Sequence, residues 1–151
     1  MHTATRDELF ELGQLTADLL GRFVEIQDGI RSWRVIAFVP VSFDQHARDA
    51  HAICECLDSV LERLEPLARV IRSDTMEDAF VQALGHYLCA LRNSVSAYEH
   101  LTRVMNHHSR KQRVRGAYRV FRLRRDFDRT VNDYRRRGSV LQGAWNALEN
   151  T

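Results

Sequence analysis

The sequence predicts an all-α protein whose helices form an up-down-up-down four-helix bundle. Only two prolines and seven glycines occur in 151 residues, and few stretches alternate β-branched with polar residues as strands do. Apolar residues instead recur every three or four positions in four long segments, which is the helical period. With 44% hydrophobic residues, the chain can bury one sizeable core. We therefore expect a single bundle domain over residues 1–151.

The first helix is predicted to begin at Thr5, which forms a capping box with Glu8. Its apolar positions step by three or four: Leu9, Leu12, Leu15, Leu19, Phe23, Ile26 and Ile30. The segment SWRVIAFVPVSF, residues 32–43, then breaks this period. It is short and apolar, and it predicts a buried connection, with a membrane-inserting loop as the alternative.

A second capping box, Ser42 with Gln45, starts the second helix, and Pro66 is expected to kink this helix or to end its first section. The helix is apolar at positions that share one face: Ala50, Ile53, Leu57, Val60, Leu61, Leu64, Leu67 and Ile71.

After the turn RSDTMED, Asp74 with Glu77 predicts the cap of the third helix, which should run to about His107. This helix has the longest apolar stripe, and we expect four of its members to be buried: Leu84, Leu91, Val95 and Tyr98. The fourth helix is predicted to begin near Lys111. Gly138 is expected to break it before a short additional C-terminal helix with these apolar positions: Val140, Leu141, Trp145 and Leu148.

The net charge of +2 conceals two electrostatic halves. Residues 1–102 hold 9 arginines and no lysine against 16 acidic residues, a net charge of −7. Residues 103–137 hold 13 basic and 3 acidic residues, a net charge of +10. Nucleic acid, an acidic membrane and an acidic face of the same chain all require such a basic segment, so composition alone does not choose among them.

Known catalytic and metal-binding motifs are missing, so we expect no enzyme activity, no cofactor and no metal. No histidine follows a glutamate by three residues, as di-iron bundles require, and no Walker, His-Glu-x-x-His or Gly-x-Ser-x-Gly motif occurs. Cys54, Cys56 and Cys89 are too few for a disulfide scaffold and are expected to pack in the core, which fits a cytoplasmic protein. The adjacent pair His107 and His108 is interpreted as a helix end.

The candidate site is the arginine run in the fourth helix: Arg113, Arg115, Arg119, Arg122, Arg124, Arg125, Arg129, Arg135, Arg136 and Arg137. The run is explained by a solvated face partly neutralised by the acidic first half, by anionic membrane headgroups, or by nucleic acid. Nucleic acid ranks last, because the aromatic residues of this run are interpreted as part of its apolar stripe, where they cannot stack on bases.

The segment SVLERLEPLARVI resembles the second helix of the N-terminal four-helix bundle of the mixed-lineage kinase domain-like pseudokinase. Its Val-Leu-x-x-Leu-x-Pro-Leu run is matched by Val60, Leu61, Leu64, Pro66 and Leu67. The leucine-spaced ALRNSVSAYEHLTRVM and the following AYRVFRLRRDFDRTVNDY resemble the third and fourth helices of the same HeLo-type family. The likeness covers roughly residues 42–148.

This resemblance implies a non-enzymatic module of cell death or innate immunity that oligomerises and permeabilises anionic membranes. It also implies a cytoplasmic protein that is recruited to the plasma membrane on activation, and a regulatory domain following the bundle in a longer protein. The acidic first helix departs from the family, because anionic lipid would repel it. The alternative is a helical adaptor that uses the same arginines for an acidic protein partner, and we expect no specific nucleic-acid binding.

Overall fold

The computed structural model describes residues 2–28, 43–107 and 117–151, and these form four α-helices. They are α1 (His2–Asp28), α2 (Phe43–Val70), α3 (Met76–His107) and α4 (Ala117–Glu149). No strand occurs in these three ranges. The predicted all-α four-helix bundle is therefore confirmed.

Consecutive helices run antiparallel, because successive contacts advance along one helix and return along its neighbour. Between α2 and α3, Asp58 pairs with Arg92 and His51 with Glu99. Between α3 and α4, the Tyr87 ring meets Tyr134 and the Tyr98 ring meets Phe127. Helix α1 is antiparallel to α4 in the same way, since Phe10 meets Trp145 and Phe23 meets Phe127; it is therefore antiparallel to α2 as well. The arrangement is the predicted up-down-up-down order.

Helix α3 lies at the centre of the packing, since it makes the most extensive contacts with both α2 and α4. Its four predicted core positions are fully or almost fully buried, which confirms the stripe: Leu84, Leu91, Val95 and Tyr98. Helix α1 packs mainly on α2, and it meets α4 through side chains, with Phe10 against Trp145 and Phe23 against Phe127. Consequently, the backbones of α1 and α4 do not close tightly on each other.

Two predicted helix starts are wrong by a few residues. Helix α1 begins at His2, so Thr5 lies within its first turn. Helix α3 is capped by Thr75 and not by Asp74, because the Asp78 backbone N–H donates to Thr75 Oγ1 over 3.1 Å. Asp74 instead has a φ of 63° and ends the short turn between α2 and α3.

Neither predicted helix breaker ends its helix. Helix α2 continues past Pro66 to Val70, and the Pro66 side chain is exposed. Helix α4 runs through Gly138 without interruption to Glu149, so the additional C-terminal helix does not exist as a separate element. A Cβ at position 138 would come within 3.3 Å of the Tyr87 ring, which indicates that glycine serves close packing against α3 there.

The predicted burial of the three cysteines is only partly correct. Cys54 is buried, whereas Cys56 and Cys89 are exposed, because they fall outside the apolar stripes of α2 and α3. The predicted buried connection lies outside the described residues, except for Phe43, which is buried. The predicted start near Lys111 and the His108 position also lie outside them, as do Ile30 and the Ser42 cap.

Candidate functional site

The apolar stripe of α4 fixes which of its faces reaches solvent. Phe127, Val131 and Tyr134 are buried against the other helices, with Val120 and Leu123 partly buried on the same face. Tyr118, Arg122, Arg125 and Arg129 follow one another by four, three and four residues, so they form one row along the opposite side. We call this row, with Arg119 and Phe121 beside it, the α4 ridge.

Two aromatic residues of the α4 ridge lie in solvent. Tyr118 is 80% exposed and Phe121 is 67% exposed. The interpretation that they belong to the apolar stripe is therefore wrong, since Val120 and Leu123 occupy the inward positions of that turn. Exposed aromatic rings between arginines give this end of α4 both charge and apolar surface.

Arg129, Arg136 and Arg137 form ion pairs with acidic residues of α4 itself. Arg136 lies 3.0 Å and Arg137 lies 3.3 Å from the Asp133 carboxylate, and Arg129 lies 3.7 Å from Asp126. Hydrogen bonds from Arg136 and Arg137 hold the pKa of Asp133 below its ordinary value, so this carboxylate stays ionised and offsets their charge.

Several exposed arginines of α4 remain outside these ion pairs. Among the described residues, Arg119, Arg122, Arg125 and Arg135 make no ion pair, and all four are exposed. Arg129, Arg136 and Arg137 pair within α4, with Asp126 and Asp133, and not with α1, α2 or α3. Direct contact with the acidic first half therefore does not neutralise these three arginines, nor Arg119, Arg122 and Arg125.

The structure brings most of the predicted arginines onto one helix, but not onto one face. Arg119, Arg122, Arg124, Arg125, Arg129, Arg135 and Arg136 are exposed, and Arg137 is half-buried. Arg113 and Arg115 lie outside the described residues. Sequence reasoning missed the contribution of Tyr118 and Phe121 to this surface.

A second charged row runs along the outward face of α1. Asp7, Glu11, Asp18 and Glu25 are all exposed and are spaced by four or seven residues. Glu11 pairs with Arg63, and Asp18 accepts a hydrogen bond from Gln14, whereas no ion pair of Asp7, Asp18 or Glu25 occurs within the described ranges. We call these four acidic residues the α1 row. The bundle thus has an acidic surface on α1 and the basic α4 ridge on α4.

None of the described helices combines the length and the apolar character needed to cross a membrane. No three His, Cys, Asp or Glu side chains in the described ranges are arranged to hold a metal ion. No protein-family model, curated protein or solved structure matches this chain at a significant level.

Proposed function

We propose that this protein is a four-helix bundle that binds anionic membrane surfaces through the α4 ridge. The observation that carries the proposal is that two exposed rings, Tyr118 and Phe121, lie beside three exposed arginines that have no ion-pair partner among the described residues: Arg119, Arg122 and Arg125. Aromatic rings settle at the membrane–water interface, and arginine side chains meet the phosphate and carboxylate groups of lipid headgroups.

The expected strength follows from the charges that stay unpaired. A basic residue close to an acidic membrane contributes about 1 kcal/mol, so three arginines contribute about 3 kcal/mol before the two rings are counted. This recruitment needs no spanning helix, because the contact is peripheral.

A membrane accounts for the charge distribution better than nucleic acid does. Helix α1 has six acidic residues and two arginines, and α2 has six acidic residues and three arginines. A flat anionic surface can contact the outward face of α4 without contacting the outward faces of these acidic helices. The exposed rings of Tyr118 and Phe121 are nevertheless able to stack on bases, so nucleic acid is the alternative that a binding experiment must exclude.

The biological role that we propose is membrane permeabilisation in cell death or innate immunity, without enzyme activity. The soluble bundle keeps its apolar stripes buried in the cytoplasm. Recruitment to the acidic inner surface of the plasma membrane concentrates copies, and the stripes then pair between copies. The recruitment step is supported by the α4 ridge, and the lytic step rests on the resemblance to HeLo-type bundles.

Vesicle binding tests the proposal directly. The full chain should cosediment with phosphatidylcholine vesicles that contain 30% phosphatidylserine and not with pure phosphatidylcholine vesicles. Binding should weaken as salt rises, because the Debye length is only about 8 Å at physiological ionic strength. Equal binding to both vesicles, or sub-micromolar binding of duplex DNA or RNA at physiological salt, would contradict the proposal.

A second candidate function, self-association, is favoured by the α1 row. The α1 row of one copy can bind the α4 ridge of another copy. The second copy is then the acidic protein partner that the helical-adaptor alternative requires. Such a contact joins two different surfaces, so it is heterologous and can extend beyond a dimer. Asp7, Asp18 and Glu25 have no ion pair within the described ranges to compete with it.

A charge swap tests this second function. One variant carries Arg→Glu at positions 119, 122 and 125, and the other carries Asp7→Lys, Asp18→Lys and Glu25→Lys. Each variant alone should sediment as a monomer, because its α1 row and α4 ridge now have the same sign. An equimolar mixture should form a complex that dissociates at high salt. A mixture that stays monomeric at low salt would exclude this contact.

A further inference from the structure

Three consecutive arginines, residues 135–137, lie in the C-terminal half of α4, outside the α4 ridge. They are followed by Gly138, Ser139 and Val140. Ser139 therefore has an arginine both three and two residues before it, and no other serine or threonine of the sequence has both. An apolar residue follows it directly. Arginine-directed serine kinases select this pattern, because acidic groups of the kinase bind the two guanidinium groups and an apolar pocket takes the next residue.

The side chains that such a kinase recognises are accessible on the bundle. Ser139 is exposed, and Val140 is 63% exposed. The Arg136 side chain is 79% exposed, and Arg137 is half-buried. Both arginines pair with the Asp133 carboxylate of the same helix, and an ion pair of this kind at the surface contributes little to stability. The acidic groups of a kinase can therefore replace Asp133 at little cost.

The helix around Ser139 is intrinsically weak. This matters because a kinase binds its substrate in an extended conformation. Gly138 and Gly143 lie inside α4, where each lowers helix stability relative to alanine, and Val140 is β-branched. A Cβ at Gly143 would meet nothing within 4 Å, so packing does not require glycine there. Local opening of the C-terminal part of α4 then presents Ser139 to the kinase.

The basic segment also supplies partners for a phosphate on Ser139. In the transfer, the bond between the γ-phosphorus of ATP and the oxygen that leaves with ADP breaks, a bond to Ser139 Oγ forms, and the hydroxyl proton passes to a base of the kinase. Phosphoserine carries a charge of about −1.5 to −2 at pH 7. Arg135 and Arg136 lie four and three residues before Ser139, so they are its neighbours on the helix surface. Arg135 makes no ion pair within the described ranges, so its guanidinium group is available to the phosphate.

We infer that Ser139 is a phosphorylation site for an arginine-directed serine kinase, and that its phosphate weakens recruitment to acidic membranes. The second part rests on the proposed function. Arg136 follows Tyr118 by eighteen residues, which is five helical turns, so it lies on the side of the α4 ridge. Ser139 lies less than one turn further along. A flat acidic surface that contacts the α4 ridge therefore also meets the phosphate, which the headgroups repel.

Incubation of the full chain with ATP and the catalytic subunit of cyclic-AMP-dependent protein kinase, an arginine-directed enzyme, tests the site. The intact mass should increase by one phosphoryl group, and fragmentation should place that group on Ser139. Ser139→Ala should abolish the modification, as should Arg136→Gln combined with Arg137→Gln. A control with Arg22→Gln and Arg48→Gln, which removes the same charge from exposed positions of α1 and α2, should be modified like the parent. Circular dichroism confirms that each variant is helical.

Gly143→Ala tests the requirement for local opening. This position lies four residues after Ser139, outside the segment that the kinase recognises. Alanine should slow the modification about fivefold, the factor that corresponds to its advantage of about 1 kcal/mol over glycine in a helix interior. The matched control is Gly21→Ala in α1, where a Cβ also meets nothing within 4 Å and the rate should stay unchanged. An unchanged rate for Gly143→Ala would overturn the local opening step.

Cosedimentation with the vesicles that contain phosphatidylserine tests the effect on recruitment. The phosphorylated chain should bind at least about tenfold more weakly than the unphosphorylated chain, because it carries up to about two additional negative charges near an acidic surface. Equal binding of the two forms would overturn this effect. Absence of phosphoryl transfer, or transfer mainly to another residue, would overturn the site itself. If the unphosphorylated chain fails to bind these vesicles, the proposed function is contradicted, and the mass measurement alone still decides whether Ser139 is the site.

Discussion

Phe23→Ala is expected to lower the free energy of unfolding by about 3–5 kcal/mol. Phe23 is 0% exposed, and its ring joins α1 to two other helices. The ring centroids of Tyr98, Phe127 and Tyr134 lie 5.6, 6.3 and 6.5 Å from that of Phe23. Alanine would leave a cavity that the surrounding rings cannot fill, because they are held on separate helices.

Chemical denaturation followed by circular dichroism measures this loss. The control is Val24→Ala, at the next residue of α1, where the side chain is 38% exposed. We expect the control to cost less than about 1 kcal/mol, because most of its surface is already in water. A cost as small for Phe23→Ala would contradict the packing of α1 against α3 and α4.

The bundle was predictable because its strongest signals are local and repeated. The stripe of α3 extends over many turns, so single deviations do not alter it, and Leu84, Leu91 and Val95 are buried as expected. The residue at which a helix begins is harder to predict, because it depends on a single capping residue. Asp74 and Thr75 are both good capping residues, and only the backbone geometry selects Thr75.

Tertiary packing outweighed the tendency of individual residues to break a helix. Gly138 lowers helix propensity, but its missing side chain allows close approach to Tyr87 within a helix that is already anchored on both sides. The contact between Phe10 and Trp145 could not be predicted from the sequence either, because these two residues are more than a hundred positions apart.

The outward position of Tyr118 and Phe121 could have been found in the sequence. Stepping back from Phe127 by four and then three residues reaches Leu123 and Val120, which are the inward positions. Tyr118 and Phe121 lie off that row and are therefore exposed. Not every aromatic residue of α4 belongs to its apolar stripe, and the exposed rings of Tyr118 and Phe121 are the feature that supports membrane binding.

Arg→Glu substitution at positions 119, 122 and 125 should reduce binding to acidic vesicles by at least about 100-fold, since each lost arginine removes about 1 kcal/mol. These arginines are exposed and make no ion pair with any described residue, so their replacement costs the bundle little. Arginine and glutamate also have similar helix propensities. The helical circular dichroism spectrum should therefore remain that of the parent.

A control variant of equal net charge separates local contact from overall charge. It carries Arg→Glu at positions 22, 48 and 72, which are exposed on α1, on α2 and in the turn after α2. Binding by this control should fall much less, because those arginines lie on the acidic helices or next to them. Equal losses in the two variants would mean that net charge, and not the α4 ridge, governs recruitment.

Leakage of a quenched dye from the same vesicles tests the lytic step separately. Charge alone does not breach a bilayer, so leakage also requires the apolar stripes to leave the core of the bundle. Phe23→Ala, which loosens that core, should increase leakage at equal bound protein, and leakage should rise more steeply than binding as the protein is concentrated. The triple Arg→Glu variant should cause neither binding nor leakage. If it binds acidic vesicles as well as the parent does, the α4 ridge serves another surface, and the acidic α1 row of a second copy becomes the leading candidate.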